Sequence, residues 1–329
     1  MTIKDLSAQT GYSVGTISRV LNNQPNVSEK AREVILQAAE ASGFQLNANA
    51  KQLKQQHGTS ILVVVKGISN ELFSRLVEAI QTRVAQTDTP LVVDYIDELA
   101  NEVQRAVQLC REKKPIGVLF LGGDRENFLA DFHKITVPCV LVTNDGAGLP
   151  FENLSSITSD DALAGRMAIE HLVNLGHRKF AIIGGDPALS NISRLRYQGC
   201  LEVFRENSIP FDEEQDFVPI RFSYADGYKA IQSLLSRGRE FTALFAMSDV
   251  MAIGAIRALH DMGKRVPQDV SVVGFDGLDI SDYMFPRLTS IRQSVDRLAE
   301  QSLQFLQNNQ AQHEIVPVTL LLKESAREI

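Results

Sequence analysis

Apolar and polar positions divide the chain into a short helical segment and a long body in which strands and helices alternate. Between residues 3 and 42, apolar residues recur three and four positions apart, the spacing of buried faces on short helices. From residue 60 onward, short apolar runs alternate with longer helical patterns, which predicts parallel sheets covered by helices on both faces. The runs that predict strands are SILVVV, PLVVDYI, IGVLFLG, PCVLVT, KFAIIGG, TALFAM and VSVVGFD. The expected fold class is therefore an all-α head followed by an α/β core.

The head is predicted to contain three helices. The first follows Thr2 and ends at Gly11, the second follows the cap residue Ser13, and the third runs from Ser28 to Gly43. Two short helices joined by a tight turn form a helix-turn-helix. The second helix is then free to lie in the major groove of DNA.

Gly15 lies on the outer face of the second helix, where glycine costs about 1 kcal/mol relative to alanine. One interpretation is that the missing side chain lets DNA approach closely. The other is that glycine is merely tolerated on a solvent-facing surface. Both interpretations remain open from the sequence.

Two irregular stretches, at 144–158 and 277–290, interrupt the alternation in the body. They predict two α/β lobes joined by several chain crossings, with a ligand-binding cleft at the carboxyl ends of the strands. The expected boundaries are an N-lobe of about residues 60–157 and 278–308 and a C-lobe of about residues 158–277 and 309–329.

Charge is distributed unevenly along a chain of ordinary composition. The whole chain carries a net charge of −7, whereas residues 1–57 hold six Lys or Arg side chains against four Asp or Glu. A basic head on an acidic body is consistent with a head that binds a polyanion, although a solvated helix face would have the same charge.

Composition and motifs disfavour several classes of protein. We expect a cytoplasmic protein, because the chain shows neither a signal-peptide pattern at its start nor an apolar run long enough to span a membrane. Its three cysteines are widely spaced in apolar surroundings and are expected to be buried thiols. The glycine pairs at 122–123 and 184–185 lack phosphate-loop spacing, and we expect no metal or cofactor. A sugar-modifying enzyme remains the alternative from another functional class.

The stretch IKDLSAQTGYSVGTISRVLNNQPNVSEKAREVILQAAEASGF resembles the DNA-binding head of the lactose-repressor/galactose-repressor (LacI/GalR) family, and the resemblance continues through the whole chain. It implies a helix-turn-helix domain over 1–46, a hinge helix or linker over 47–59, and a periplasmic-binding-protein-like core over 60–329. It also implies a sequence-specific transcriptional regulator, most often a repressor, controlled by a sugar or sugar derivative. Control by a protein corepressor, such as a phosphorylated phosphocarrier protein, is the alternative.

The resemblance also implies which residues contact operator DNA. In that family the pair at Val14 and Gly15 discriminates bases, and the hinge leucine, here Leu53, wedges into the minor groove and kinks the duplex. Leu46 and Asn49 depart from the usual proline and apolar residue, which predicts a hinge that is less preorganised. The complete implied set is Thr2, Ser13, Val14, Gly15, Thr16, Ser18, Arg19, Asn22, Asn47, Ala50 and Leu53.

Seven residues are implied to contact the effector. An arginine supplies a fork of donors, an aspartate accepts hydrogen bonds, and phenylalanine rings can cover the apolar face of a sugar. Without the resemblance, each would have a structural interpretation as a cap, an ion pair or a core residue. The implied residues are Asn70, Phe73, Thr143, Arg196, Phe222, Ser248 and Asp276.

A homodimer is expected, because one small head reads too few bases for a tight specific site. Two heads on a two-fold axis would read a pseudo-palindromic operator in double-stranded DNA. The chain ends in LLLKESAREI without a heptad pattern, so a dimer is the expected limit of assembly. No membrane partner is expected.

Overall fold

The computed structural model describes five ranges of the chain: residues 3–21, 27–42, 59–68, 70–308 and 310–329. The chain forms two compact units, a head unit over Met1–His57 and a core unit over Gly58–Ile329. Each unit is described separately below.

The head unit contains the three predicted helices, α1 (Ile3–Thr10), α2 (Val14–Leu21) and α3 (Glu29–Ala41). Gly11 connects the first two with a φ of +73°, a backbone conformation that glycine adopts without strain. Ser13 begins α2, since its hydroxyl accepts a hydrogen bond from the amide of Thr16 at 3.2 Å. The helix-turn-helix expected from the sequence is confirmed.

A small apolar core holds these three helices together. Its buried members come from all three helices, and partly buried residues such as Tyr12 pack around them. The core members are Leu6, Ile17, Val20, Ile35 and Ala39. Because the inward face of α2 is used in this core, its opposite face points to solvent.

The core unit begins with an alternation of strands and helices and keeps it over most of its length. Its elements are β1 (Ile61–Lys66), α4 (Glu71–Val84), β2 (Leu91–Ile96), α5 (Glu102–Lys113), β3 (Gly117–Leu121), α6 (Arg125–Asp131), β4 (Cys139–Val142), β5 (Leu154–Ser159), α7 (Asp161–Asn174), β6 (Phe180–Gly184), α8 (Asn191–Glu206), α9 (Glu213–Asp216), β7 (Phe217–Pro219), α10 (Tyr224–Ser236), β8 (Ala243–Ala246), α11 (Asp249–Asp261), β9 (Ser271–Asp276), β10 (Thr289–Arg292), α12 (Val295–Leu306), β11 (His313–Val316) and β12 (Thr319–Leu321).

Two six-stranded sheets form the two lobes, in the orders β11-β5-β4-β3-β1-β2 and β12-β10-β9-β8-β6-β7. The N-lobe sheet is parallel throughout, and the C-lobe sheet is parallel except for β12. Along β1, Ile61, Val63 and Val65 enter one apolar cluster, whereas Leu62 and Val64 enter the cluster on the other face. Burial on both faces explains why this strand is a continuous apolar run.

The second and third crossings of the chain between the lobes lie later in the sequence than expected. The first crossing follows β5, the second lies between β10 and α12, and the third lies between β11 and β12. We expected returns near residues 278 and 309. The second crossing is later because β10 pairs with β9 in the C-lobe sheet, and the third is later because β11 pairs with β5 in the N-lobe sheet.

Strand β5, with the sequence LSSITS, lies in a stretch that was expected to be irregular. Its serines are buried, and their hydroxyls have partners within the protein. Ser155 accepts a hydrogen bond from the amide of Gln312 at 3.1 Å, and Ser159 donates to Gln293 Oε1 at 2.8 Å. Because small hydroxyls with partners can be buried at little cost, a polar sequence forms an interior strand here.

Candidate DNA-binding surface and effector site

The outer face of α2 carries the described candidates for DNA contact. Val14 and Arg19 are exposed, whereas Ile17 and Val20 on the opposite face are buried. The other described candidates are exposed or half-buried: Ser13, Gly15, Thr16 and Ser18. The first turn of α2 therefore presents short polar and branched side chains, and its last turn adds the cation of Arg19, as a helix in the major groove requires.

Packing within the head does not require glycine at position 15. A methyl group there would have Ser13 Oγ as its nearest neighbour, at 3.8 Å, which is an ordinary contact distance. The helix at this point has the regular geometry in which alanine is more favourable than glycine. Whatever favours Gly15 therefore lies outside the packing of the described head.

The remaining candidates for DNA contact lie outside the described residues: Thr2, Asn22, Asn47, Ala50 and Leu53. The expectation of a weakly preorganised hinge falls there too. These assignments remain predictions.

Arg196 is fixed in the interior of the C-lobe by contacts on three sides. Its Nε donates to Asp161 Oδ1 at 2.8 Å, and its Nη1 donates to the carbonyl oxygen of Met247 at 2.8 Å. The guanidinium carbon lies 3.5 Å from the centre of the Phe275 ring. None of the described residues accepts a hydrogen bond from Nη2. Arg196 can thus offer one rigidly placed nitrogen to a ligand.

Ser248 and Asp276 are brought next to Arg196, because they directly follow Met247 and Phe275, two of the three residues that contact its guanidinium. Ser248 is buried and caps α11, its hydroxyl accepting from the amide of Met251 at 3.3 Å. Asp276 ends β9 and is also buried. Three effector candidates therefore converge at the carboxyl ends of neighbouring strands, where α/β sheets bind ligands.

Gln293, which the sequence did not single out, orients the carboxylate of Asp276. Its Nε2 donates to Asp276 Oδ1 at 2.9 Å, while its own Oε1 accepts from Ser159 Oγ at 2.8 Å. Ser159 and Gln293 lie at the first two crossings between the lobes, so a single chain of hydrogen bonds connects those crossings to Asp276. Burial raises the pKa of the Asp276 carboxyl to about 7, against the opposing effect of Arg196.

The pKa of Asp276 predicts a loss of stability as pH rises. Folding raises the pKa of this carboxyl from 3.8 to about 7, so between those two pH values the folded chain binds a proton that the unfolded chain does not. The contribution of this group to the free energy of unfolding therefore decreases as pH rises through that range. Between pH 5 and pH 8 the expected loss for the core is about 2–3 kcal/mol relative to Asp276→Asn. Denaturant unfolding of both proteins at several pH values measures this difference. Parallel stability curves for wild type and variant would contradict the prediction.

In the N-lobe, Thr143 occupies the position that corresponds to Asp276. The two residues follow or end strands β4 and β9, which lie third in their respective sheets. Both have positive φ values, +73° for Thr143 and +112° for Asp276. A β-branched residue rarely adopts such a conformation, and strained backbone of this kind is concentrated at functional sites.

The other N-lobe candidates cluster after β1. Asn70 caps α4, its Oδ1 accepting from the amides of Leu72 at 3.1 Å and Phe73 at 3.4 Å. Phe73 is buried, and a methyl group at Gly122 would lie 3.1 Å from its Cζ. Asn70 and Phe73 therefore have structural roles at the edge of the site, and the ring of Phe73 shows little surface.

Direct contacts between the lobes surround the remaining candidate, Phe222, which is half-buried in the C-lobe. On one side of it, Arg221 Nε lies 2.9 Å from Glu98 Oε1 of the N-lobe. Close by, the Tyr224 hydroxyl donates a hydrogen bond to the Glu71 carboxylate. These two contacts hold the cleft walls together on either side of Phe222.

Comparison with known proteins identifies the family. Residues 2–47 match the bacterial regulatory proteins of the lacI family, and residues 169–326 match a periplasmic binding protein-like domain. The HTH-type transcriptional regulator MalR of Clostridium butyricum is 32% identical over 337 residues that cover 100% of both chains. The chain belongs to the LacI family. It is therefore a DNA-binding transcriptional regulator and not an enzyme, which removes the sugar-modifying alternative.

Further relatives of this LacI-family chain agree in sequence and in fold. The HTH-type transcriptional regulator GalR of Escherichia coli (strain K12) is 33% identical over 92% of this chain and 87% of its own. The lac repressor dimer bound to operator and the anti-inducer ONPF has a TM-score of 0.80 and 27% identity, covering 99% of both chains. The CelR–cellobiose complex has a TM-score of 0.71 and 26% identity, with the same coverage. The expected helical head and two-lobed parallel-sheet core are confirmed.

Proposed function

We propose that this regulator is a repressor that binds a pseudo-palindromic operator as a homodimer and changes its operator affinity when a sugar or sugar derivative enters the cleft. The observation that carries the proposal is the pairing of an exposed recognition helix with a buried, strand-end site around Arg196 and Asp276. The relatives support it, because one solved neighbour is bound to an operator and another to cellobiose.

In this proposal α2 reads the operator through Val14, Gly15 and Arg19, and Ser13, Thr16 and Ser18 contact phosphates or bases. The exposed side chains at the start of α2 support these roles. The open space at Gly15 is consistent with close approach of DNA. The hinge residues, with Leu53 as a minor-groove wedge, extend the proposal beyond the described residues.

The decisive experiment is in vitro selection of genomic fragments by the purified protein, followed by affinity measurements with Arg19→Ala. We expect a two-fold-symmetric motif to be enriched, and Arg19→Ala to weaken binding to it by about 1–3 kcal/mol if the guanidinium contacts a base. Lys30→Ala is the matched control, since Lys30 is an exposed cation on α3. Failure to enrich any symmetric motif would contradict the proposed operator. An equal loss on random DNA would reduce Arg19 to a phosphate contact.

The cleft supplies the proposed regulation. Arg196 Nη2 can donate to a sugar hydroxyl, Asp276 can accept from one, and Phe222 provides apolar surface. Thr143, Ser248, Asn70 and Phe73 complete the proposed site. A ligand bound between the lobes changes operator affinity only by its differential affinity for the two conformations of the core.

The dimer surface is proposed to include the loop after β9. Tyr283 is 88% exposed and Phe285 is 92% exposed, and Ile280 in the same loop is exposed too. Adjacent aromatic side chains with so much surface are typical of interface anchors. Two copies of the chain joined in this way would place two heads on one operator.

Two further assignments complete the proposal. We assign this regulator to the cytoplasm, because operator DNA in bacteria lies there. Among the described residues, no helix is long and apolar enough to cross a membrane. Control by a phosphocarrier-protein corepressor remains an alternative without a specific observation in its favour. A phosphoserine on such a partner would bind to a cluster of arginines. On the N-lobe surface, however, Arg83 pairs with Asp296 and Arg297 pairs with Glu314, so both guanidinium groups already have acidic partners.

A further inference from the structure

The buried cations beside the proposed effector site are already neutralised by carboxylates. Arg196 and Asp161 form an ion pair at 2.8 Å in which the side chains are 4% and 3% exposed. In the N-lobe, Lys66 Nζ lies 2.6 Å from Glu102 Oε2, at the carboxyl end of β1. Neither cation therefore brings unbalanced positive charge to a ligand.

The Lys66 pair is held firmly and belongs to the same wall as Phe73. A methyl group at Gly122 would lie 3.1 Å from Phe73 Cζ and 3.6 Å from Lys66 Cβ. Glu102 is fully buried and also accepts a hydrogen bond from the amide of Asp124 at 2.6 Å. Because Glu102 is fixed by a backbone donor as well as by the lysine, a ligand anion would have to compete with it for the ammonium group.

Carboxyl groups outnumber cations on the C-lobe wall. Asp276 receives a hydrogen bond from the uncharged side chain of Gln293, and none of the described cations forms an ion pair with it. Behind it lies the buried Asp249, which accepts from the amide of Leu278 at 2.7 Å and the hydroxyl of Ser290 at 2.6 Å. A ligand at Arg196 thus meets one matched ion pair and two further carboxyl groups.

We infer that the effector of this site is an uncharged, polyhydroxylated molecule rather than a sugar acid or a sugar phosphate, a conclusion that rests on the proposed function. An anionic ligand would have to share Arg196 with Asp161, which already balances the charge of the guanidinium, and a buried charge without a cation of its own is strongly unfavourable. Hydroxyl groups meet no such penalty. They can accept from Arg196 Nη2 and donate to Asp276 in the same pose.

The test compares each neutral sugar with its own anion on the complete chain. Probes are D-galactose with D-galacturonate, D-glucose with D-glucuronate and glucose 6-phosphate, and cellobiose and maltose with their aldonic acids. Thermal unfolding of the core ranks the probes, and calorimetry gives dissociation constants for the strongest binder and its charged counterpart. We expect the strongest binder to be neutral and its anion to bind at least about 100-fold more weakly.

Asp276→Asn gives a second measurement that a purely structural role of Asp276 would not produce. The comparison is made at pH 8, above the pKa of about 7 that burial gives the Asp276 carboxyl, so that the group is mainly ionised in the wild type. Removing its charge should then weaken binding of the neutral ligand but narrow the preference for neutral ligand over anion at least about tenfold. The inference would be overturned if the ratio of the two dissociation constants, anion to neutral ligand, were the same in the variant as in the wild type. It would also be overturned if an anion bound the wild type more tightly than its neutral parent.

The operator affinity of the same complexes separates this inference from the proposed function. An anion that binds best and shifts operator affinity would overturn the uncharged class and leave the proposed regulation standing. If a neutral sugar binds best but does not change operator affinity, the uncharged ligand class is supported and the proposed regulation fails.

Discussion

Arg196→Met is expected to abolish the response of operator binding to the effector while leaving operator binding itself intact. The substitution removes the one guanidinium nitrogen that the described residues leave for a ligand, and charged hydrogen bonds of this kind contribute roughly 10- to 100-fold to affinity. It also leaves Asp161 buried without its cation, which should destabilise the core by about 3–5 kcal/mol. Operator titrations with and without the strongest-binding sugar, together with denaturant unfolding, measure both effects.

A double variant separates the two consequences of losing Arg196. Adding Asp161→Asn to Arg196→Met removes the unpaired buried charge, so much of the lost stability should return. The effector response should stay lost, because the donor to the ligand is still missing. Recovery of the response along with stability would show that Arg196 only supports the fold.

Phe285→Ser is expected to weaken the dimer and, through it, operator binding. An aromatic anchor that becomes buried when a dimer forms contributes about 2–4 kcal/mol to the interface. Loss of the Phe285 ring should therefore raise the dimer dissociation constant by roughly 30- to 1,000-fold. At nanomolar protein the heads would then reach the two half-sites separately, and operator affinity should fall accordingly. Sedimentation equilibrium measures the first change and operator titration the second.

Leu129→Ser is the matched control for the dimer prediction. Leu129 is an exposed apolar residue on α6 of the N-lobe, so the same kind of change is made on a different surface. We expect the Leu129→Ser variant to have the same dimer dissociation constant and the same operator affinity as the wild type. If Phe285→Ser also behaves as the wild type, the dimer surface lies elsewhere on the chain.

Local patterns in the sequence were sufficient to predict the three helices of the head and the seven apolar strands. Cap residues such as Ser13 and Ser28 bond to amides within the next helical turn, so their effect depends on residues nearby in the chain. Continuous apolar runs such as Ile61–Lys66 indicate burial on both faces of a sheet wherever the strand finally lies. Both signals are independent of distant partners, and both predictions are confirmed.

Elements whose stability depends on distant partners were missed. The serines of β5 are tolerated in an interior strand because Gln312 and Gln293, far along the chain, complete their hydrogen bonds. The late crossings have the same origin, since β10 and β11 are short strands that exist through pairing with β9 and β5. No pattern within a few residues of these segments records such partners.

For the functional sites, the sequence by itself determined the family resemblance, the candidate residues and the unequal distribution of charge between head and body. Only the tertiary structure showed that Asp161 neutralises Arg196, that Gln293 orients Asp276, and that Glu102 pairs with Lys66. The physical reason is that charge balance and pKa depend on burial and on neighbours within a few ångströms, and folding brings those neighbours together from positions 17 to 36 residues apart.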